Sequence, residues 1–243
     1  MLGLLAVTAL IAGCGGATSR AAAPPPPSTT TTVTAAPTTT TVPAPTAVVA
    51  QAKVPDVAVY AQPGDPTPAQ HLGNPRELGG PLVLLVTDRR PGWVQALLPV
   101  RPNGSHGWVR ESDVALSQHL YRIVVELGAH RLTVYNGYDK VAVDPIGVGT
   151  DATPTPGGLY YTVDFVKLDD PNGPYGAYAY GLSGFSEVLT SFGGGPGQLA
   201  IHGTNDPDRI GSDVSHGCIR MRNADITKLA GILPLGVPVQ VMA

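Results

Sequence analysis

The hexapeptide Ser215-His216-Gly217-Cys218-Ile219-Arg220, SHGCIR, decides how the rest of the chain is read. The 243-residue sequence holds two cysteines, and the second, Cys218, sits between a His-Gly pair and an arginine. A thiol of ordinary pKa, about 8.5, is mostly protonated at neutral pH, so a cysteine that does chemistry needs a base nearby. Upstream, residues 198–203 (QLAIHG) read as a strand that delivers His202 to its end, sixteen positions before Cys218. A loop of that length folds back far enough to bring imidazole and thiol together. An imidazole so placed takes the thiol proton and stabilises the thiolate, which predicts a Cys218 pKa below the free-thiol value. Gly217 lets a substrate carbonyl approach closely, and the backbone N–H groups of His216, Gly217 and Cys218 supply an oxyanion hole. The residues alone point to cysteine acyl transfer.

Outward from this motif the pattern is mainly β. Residues 120–127 (LYRIVVEL), 131–136 (RLTVYN), 140–149 (KVAVDPIGVG), 159–166 (LYYTVDFV) and 237–242 (VPVQVM) alternate apolar and polar side chains between hairpin-sized turns. The turn Thr153-Pro154-Thr155-Pro156-Gly157-Gly158 is rigid and feeds a strand. One helix is predicted, with Asn223 as N-cap, Ile226, Leu229, Ala230 and Leu233 on one face, and Pro234 and Gly236 as stop signals. The tyrosines and glycines of residues 169–180 read equally as a peptide cleft lining and as a strand with one packed face.

Residues 53–117 form a separate set of short runs, 57–61, 82–86, 93–99 and 107–110, divided by Gly/Pro/Asn/Asp turns. The repeated Gly-Trp-Val at 92–94 and 107–109 resembles the bacterial Src-homology-3-like barrels of cell-wall proteins. Trp93 and Trp108 read as core or hinge packing in preference to ligand platforms. Before this module, residues 17–52 carry a Pro/Thr-rich tract that offers no amphipathic face, which predicts an extended linker. Residues 1–16 contain an apolar run too short to span a bilayer, ending in Ile11-Ala12-Gly13-Cys14. That end resembles the lipobox of bacterial lipoproteins, implying lipidation of Cys14 and a membrane anchor. Cys218 is then left without a disulfide partner. A net charge of −3 with 14% charged residues offers no basic stripe, which excludes nucleic-acid binding.

The constellation His202-Gly203, a loop through Asn205-Asp206-Pro207, and then Ser215-His216-Gly217-Cys218-Ile219-Arg220 resembles the YkuD-type L,D-transpeptidase catalytic domain over residues 119–243. The resemblance implies a β-rich catalytic domain with one short helix, Cys218 as nucleophile, His202 as base, and an oxyanion hole from His216 to Cys218. It implies that the Gly203 carbonyl orients the imidazole, and that Ser215 and Arg220 shape the loop or meet substrate carboxylates. It further implies peptidoglycan stem peptides as substrates, cross-links between their third residues, inhibition by carbapenem-class β-lactams, and no metal or organic cofactor. The expected location is the cell envelope, on the outer face of the cytoplasmic membrane. Trimming by water or exchange with a D-amino acid are alternatives on the same site, and a non-catalytic wall-binding lipoprotein is an alternative of another class. A papain-like endopeptidase places its cysteine before its histidine, and here the order is reversed. His71, His106, His119 and His130 have no partner motif, and no histidine-cysteine spacing matches a zinc site.

Overall fold

The computed structural model describes residues 45–243. Cys14, its apolar run and the tether up to residue 44 lie outside the described residues. The described residues fall into one compact unit.

Seven strands come first: β1 (Ala47–Ala52), β2 (Asp56–Val59), β3 (Gln70–Gly73), β4 (Val83–Arg90), β5 (Trp93–Leu97), β6 (His106–Arg110) and β7 (Val114–His119). Five of them pair in the order β6-β5-β4-β1-β7, and β2 pairs with β3. The tether therefore ends earlier than residue 52. The run AVVAQA shares the tether's Ala/Val composition, yet Val49 and Ala50 are buried and the strand lies between β4 and β7. What separates it from the tract before it is the absence of proline, so every amide is free to donate to a neighbouring strand. Trp108 is buried, while Trp93 meets Tyr60 edge-on at 5.1 Å beneath the Arg110 guanidinium. Both tryptophans pack within the module.

Ten further strands and one helix follow: β8 (Tyr121–Glu126), β9 (Arg131–Asn136), β10 (Asp139–Pro145), β11 (Val148–Gly149), β12 (Gly158–Lys167), β13 (Tyr178–Phe185), β14 (Gln198–His202), β15 (Asp213–Ser215), β16 (Ile219–Arg220), α1 (Asn223–Ala230) and β17 (Pro238–Met242). Eight strands form one sheet in the order β10-β9-β8-β17-β12-β13-β14-β16, and β11 pairs with β15. The helix lays Ile226 and Leu229 into the core beside Tyr180, Ile201, Ile219 and Val239. Burying each such aliphatic side chain contributes about 1.5–3 kcal/mol. Tyr180 donates from its hydroxyl to the carbonyls of Leu229 and Leu233, so the helix end is fixed to the sheet by polar as well as apolar contacts. Of the tract 169–180, Tyr178 to Tyr180 thus belong to a strand with a packed face, whereas Pro174 and Tyr175 line a cavity.

Asn223 is not the helix cap. Arg222 occupies the N-cap position without a side-chain cap bond, and Asn223 opens the helix with its side chain turned away. Its Oδ1 accepts from the Thr204 amide (3.0 Å) and its Nδ2 donates to the Pro171 carbonyl (2.9 Å). An asparagine side chain has both donor and acceptor, and two segments distant in sequence satisfy them better than the helix terminus does.

The two modules meet through Ala47, Leu85 and Leu97 on one side and Tyr161 and Val163 of β12 on the other. Tyr161 donates to the Leu97 carbonyl (3.0 Å), and Arg76 pairs with Asp164 through two hydrogen bonds of 2.8 and 3.1 Å. Asp164 is almost wholly buried, so this contact compensates a charge that would otherwise be costly inside the protein.

Candidate active site

Parallel pairing of β14 with β16 sets Ile201 opposite Ile219 and His202 opposite Arg220. That register brings the end of β14 beside the segment 215–218, and His202, Ser215, His216, Cys218 and Arg220 all line one cavity of about 230 Å³. The strand end and the loop expected to meet do so.

The cysteine loop is shaped from behind by the Thr-Pro-Thr-Pro turn. Thr155 is buried; its Oγ1 accepts from the Gly149 amide (2.9 Å) and donates to the Gly217 carbonyl (2.8 Å). Thr153 Oγ1 donates to the Ser215 carbonyl (3.2 Å), which also accepts from the Thr150 amide (3.1 Å). Gly217 has φ +115°, a conformation that side-chain-bearing residues rarely adopt, so the loop needs glycine there. Ser215 is buried and wholly engaged in the loop: its Oγ donates to the Cys218 carbonyl (2.5 Å) and accepts from the Gly217 amide (3.1 Å). Ser215 shapes the loop. The Gly217 N–H, one of the three amides expected in an oxyanion hole, already has this partner.

His202 is buried, and its Nδ1 donates to the Gly203 carbonyl at 2.6 Å. A carbonyl only accepts, so the neutral ring carries its proton on Nδ1 and leaves Nε2 as a free base. Tyr175 packs edge-on against the ring with centroids 5.0 Å apart, and Phe192 lies 4.9 Å from the ring of the exposed His216. Burial pushes His202 down to about 4, against the raising effect of the Gly203 bond, and the Arg220 charge pushes it the same way as burial. Burial raises the Cys218 thiol, with lesser opposing effects from a backbone hydrogen bond at Ala200 and from Arg220. Burial of the thiol thus acts against the depression expected from a neighbouring imidazole. Desolvation acts against the charged form of both groups, the thiolate and the imidazolium. Arg220 lines the cavity with its Nε buried and without a hydrogen-bond partner.

Three contributors were not singled out from the sequence. Thr155 was noted only as part of a turn, Tyr175 was undecided between cleft and packing, and Asn223 was assigned to the helix. The Gly203 and Gly176 backbones meet beneath Asn223, and a Cβ at either position would fall on Asn223 Oδ1. Among the described residues no group of three or more His, Cys, Asp or Glu side chains is placed to hold a metal ion.

Cys218 and His202 thus stand at adjoining strand ends of a mainly β domain, on one cavity. The model of the L,D-transpeptidase catalytic domain, YkuD, matches residues 120–241, and the chain belongs to this family. It is 36% identical over 154 residues to YkuD of Bacillus licheniformis, covering 60% of this chain and 85% of that protein. It is 39% identical over 121 residues to YkuD of Bacillus subtilis, covering 50% and 65%. Among solved structures, L,D-transpeptidase 3 from Mycobacterium tuberculosis in complex with a faropenem-derived adduct is 16% identical, with 67% of this chain and 91% of that chain covered and a TM-score of 0.44.

Proposed function

We propose that this chain cross-links peptidoglycan stem peptides through a thioester on Cys218. The observation that carries the reading is that Cys218 shares one cavity with a His202 whose Nε2 is left unprotonated by the Nδ1–Gly203 hydrogen bond. As Sγ attacks the carbonyl before the terminal D-alanine of a tetrapeptide stem, the thiol proton passes to Nε2. Proton transfer accompanies attack, because burial disfavours both the thiolate and the imidazolium. The developing oxyanion meets the amides of His216 and Cys218. The C–N bond then breaks, D-alanine leaves with the proton returned by His202, and the thioester remains. An amine on the third residue of a neighbouring stem attacks the thioester, gives a proton to His202, and forms the new amide while the thiol is regenerated.

Arg220 lines the cavity and supplies the only charge we assign to recognition, one suited to a stem carboxylate. The same electrophile-and-oxyanion geometry accepts a carbapenem carbonyl. Sγ bonds the lactam carbon, the C–N bond opens and the nitrogen takes the proton, so the adduct retains the whole drug. We infer that the first module is a Src-homology-3-like barrel, that Cys14 is lipidated, and that the tether holds the catalytic domain away from the outer face of the cytoplasmic membrane.

Incubation of the purified protein with a disaccharide tetrapeptide, followed by mass spectrometry, tests the reaction. A cross-linked dimer minus one D-alanine is expected. A stem trimmed by water, or one bearing an exchanged D-amino acid, would replace the cross-linking assignment.

A further inference from the structure

The N-terminal module reaches the wall of the cleft through one turn. Arg101, between β5 and β6, donates from Nη1 to the Ser186 carbonyl (2.7 Å) and from Nη2 to the carbonyls of Leu189 (3.1 Å) and Pro196 (3.0 Å). Its guanidinium also lies 5.0 Å from the centre of the Phe185 ring. Two residues on, Asn103 pairs with the Phe185 backbone in both directions, Nδ2 to the carbonyl and the amide to Oδ1, each at 2.8 Å.

These contacts surround one segment. It leaves β13 after Phe185 and enters β14 at Gln198, and its Ser186, Leu189, Phe192 and Gly197 line the cavity that holds Cys218. Ser186 closes the segment on itself: its amide donates to the Gly197 carbonyl (2.8 Å) and its Oγ accepts from the amides of Val188 and Leu189. Arg101 bridges both ends and one turn of this closed loop. Phe192, at its tip, touches the His216 ring, so the position of the loop bears on the mouth of the cleft.

We propose that Arg101, supported by Asn103, is a positioning residue of the active-site cleft. It holds the 186–197 wall at the distance that grips a stem peptide, and it touches no reacting atom. The inference rests on the reading of the cavity as a stem-peptide site. Arginine suits the task because its rigid fork presents several donors at once, whereas the lysine ammonium is a flexible point charge. Loss of the fork leaves three carbonyls to water and frees the wall. Affinity for substrate then falls while the chemistry at Cys218 proceeds as before, the signature of lost binding common to ground and transition states.

The test uses the whole chain as wild type, Arg101→Met, Arg101→Lys and Asn103→Ala. Hydrogen exchange is read peptide by peptide, and KM and kcat are measured with the disaccharide tetrapeptide. Arg101→Met is expected to raise KM on the order of tenfold with kcat changed by less than about twofold. Amide exchange within residues 187–195 should rise at the same time, while β13 and β14 stay protected. Arg101→Lys should recover part of both effects, and Asn103→Ala should show the same pattern more weakly. Unchanged exchange of 187–195 in any folded Arg101 variant overturns the proposal, as does a loss of protection spread evenly over the whole chain. Should Arg101→Met fail to fold, Arg101→Lys and Asn103→Ala decide by the same criteria. Absence of turnover by the wild-type chain would overturn the stem-peptide reading instead, and the exchange comparison would still judge Arg101.

Discussion

Thr155 Oγ1 donates 2.8 Å to the carbonyl of Gly217, the residue before the cysteine, across 62 positions of sequence. The hydroxyl also accepts from the Gly149 amide, so one buried atom ties the Thr-Pro turn, the short strand β11 and the cysteine loop together. The orientation of Cys218 is thus set by residues outside the SHGCIR motif.

Replacement of Thr155 by valine keeps the shape of the side chain and leaves the half-buried Gly149 N–H and the buried Gly217 C=O without this partner. The expected cost is about 1–3 kcal/mol of stability, and the loop relaxes away from its working geometry. Urea denaturation together with turnover should show both losses. Wild-type values for both would mean that the turn is only a connector.

Gly203→Ala tests the packing beside His202. The new Cβ would fall on Asn223 Oδ1 and within 2.9 Å of the Gly176 Cα, so either the helix start or the 170–176 loop must shift. Overpacking of this kind costs about 1–3 kcal/mol. Because Tyr175 on that loop packs on His202, cross-linking should fall further than stability alone explains. A variant as stable and as active as wild type would contradict the tight contact.

The resting protonation of the pair gives a pH test with a definite sign. His202 is held at about 4 in the folded protein against an ordinary value of 6.5. The unfolded chain therefore binds more protons between these two values, and stability rises with pH across that window. The contribution is fully present above about pH 6.5, falls as pH drops through the window, and amounts to roughly 3 kcal/mol. Thermal unfolding from pH 3 to 7 should show this slope in wild type and lose it in His202→Gln. For the thiol the direction is opposite: alkylation of Cys218 in the free protein should rise with pH toward a midpoint above about 8.5. Reactivity that persists into acid would restore a resting thiolate–imidazolium pair. His216, exposed and set against Phe192, should move this profile less than His202 when changed to alanine.

The sequence made the strand ends legible and left their supports hidden. His202 and Cys218 stand in a motif whose spacing is local, and the alternating runs marked most of the long strands. β1 was read as tether because its Ala/Val composition continues the tract before it, and only its pairing partners, β4 and β7, reveal it. Thr155, Arg101 and Asn223 reach partners 62, 95 and 19 positions away, a relationship that no local period encodes. The two influences on the thiol differ in the same way: proximity of an imidazole is readable from the motif, whereas desolvation depends on every chain segment that closes over the site.

A carbapenem should add one intact drug mass to the reduced protein, located on Cys218. Cys218→Ala should take up none while its circular dichroism spectrum stays unchanged, since the substitution removes one sulfur from a loop. An adduct at another residue, or none on wild type, would contradict the geometry assigned to the nucleophile.

The most direct measurement is capture of the thioester itself. Wild-type protein mixed with a disaccharide tetrapeptide, quenched in acid and digested, should yield the Cys218 peptide carrying the stem less its terminal D-alanine. The adduct should disappear when an amine acceptor is added, as cross-linked product forms. Cross-linked product made at wild-type rate by Cys218→Ala, or a stem found on any residue other than Cys218, would contradict the account.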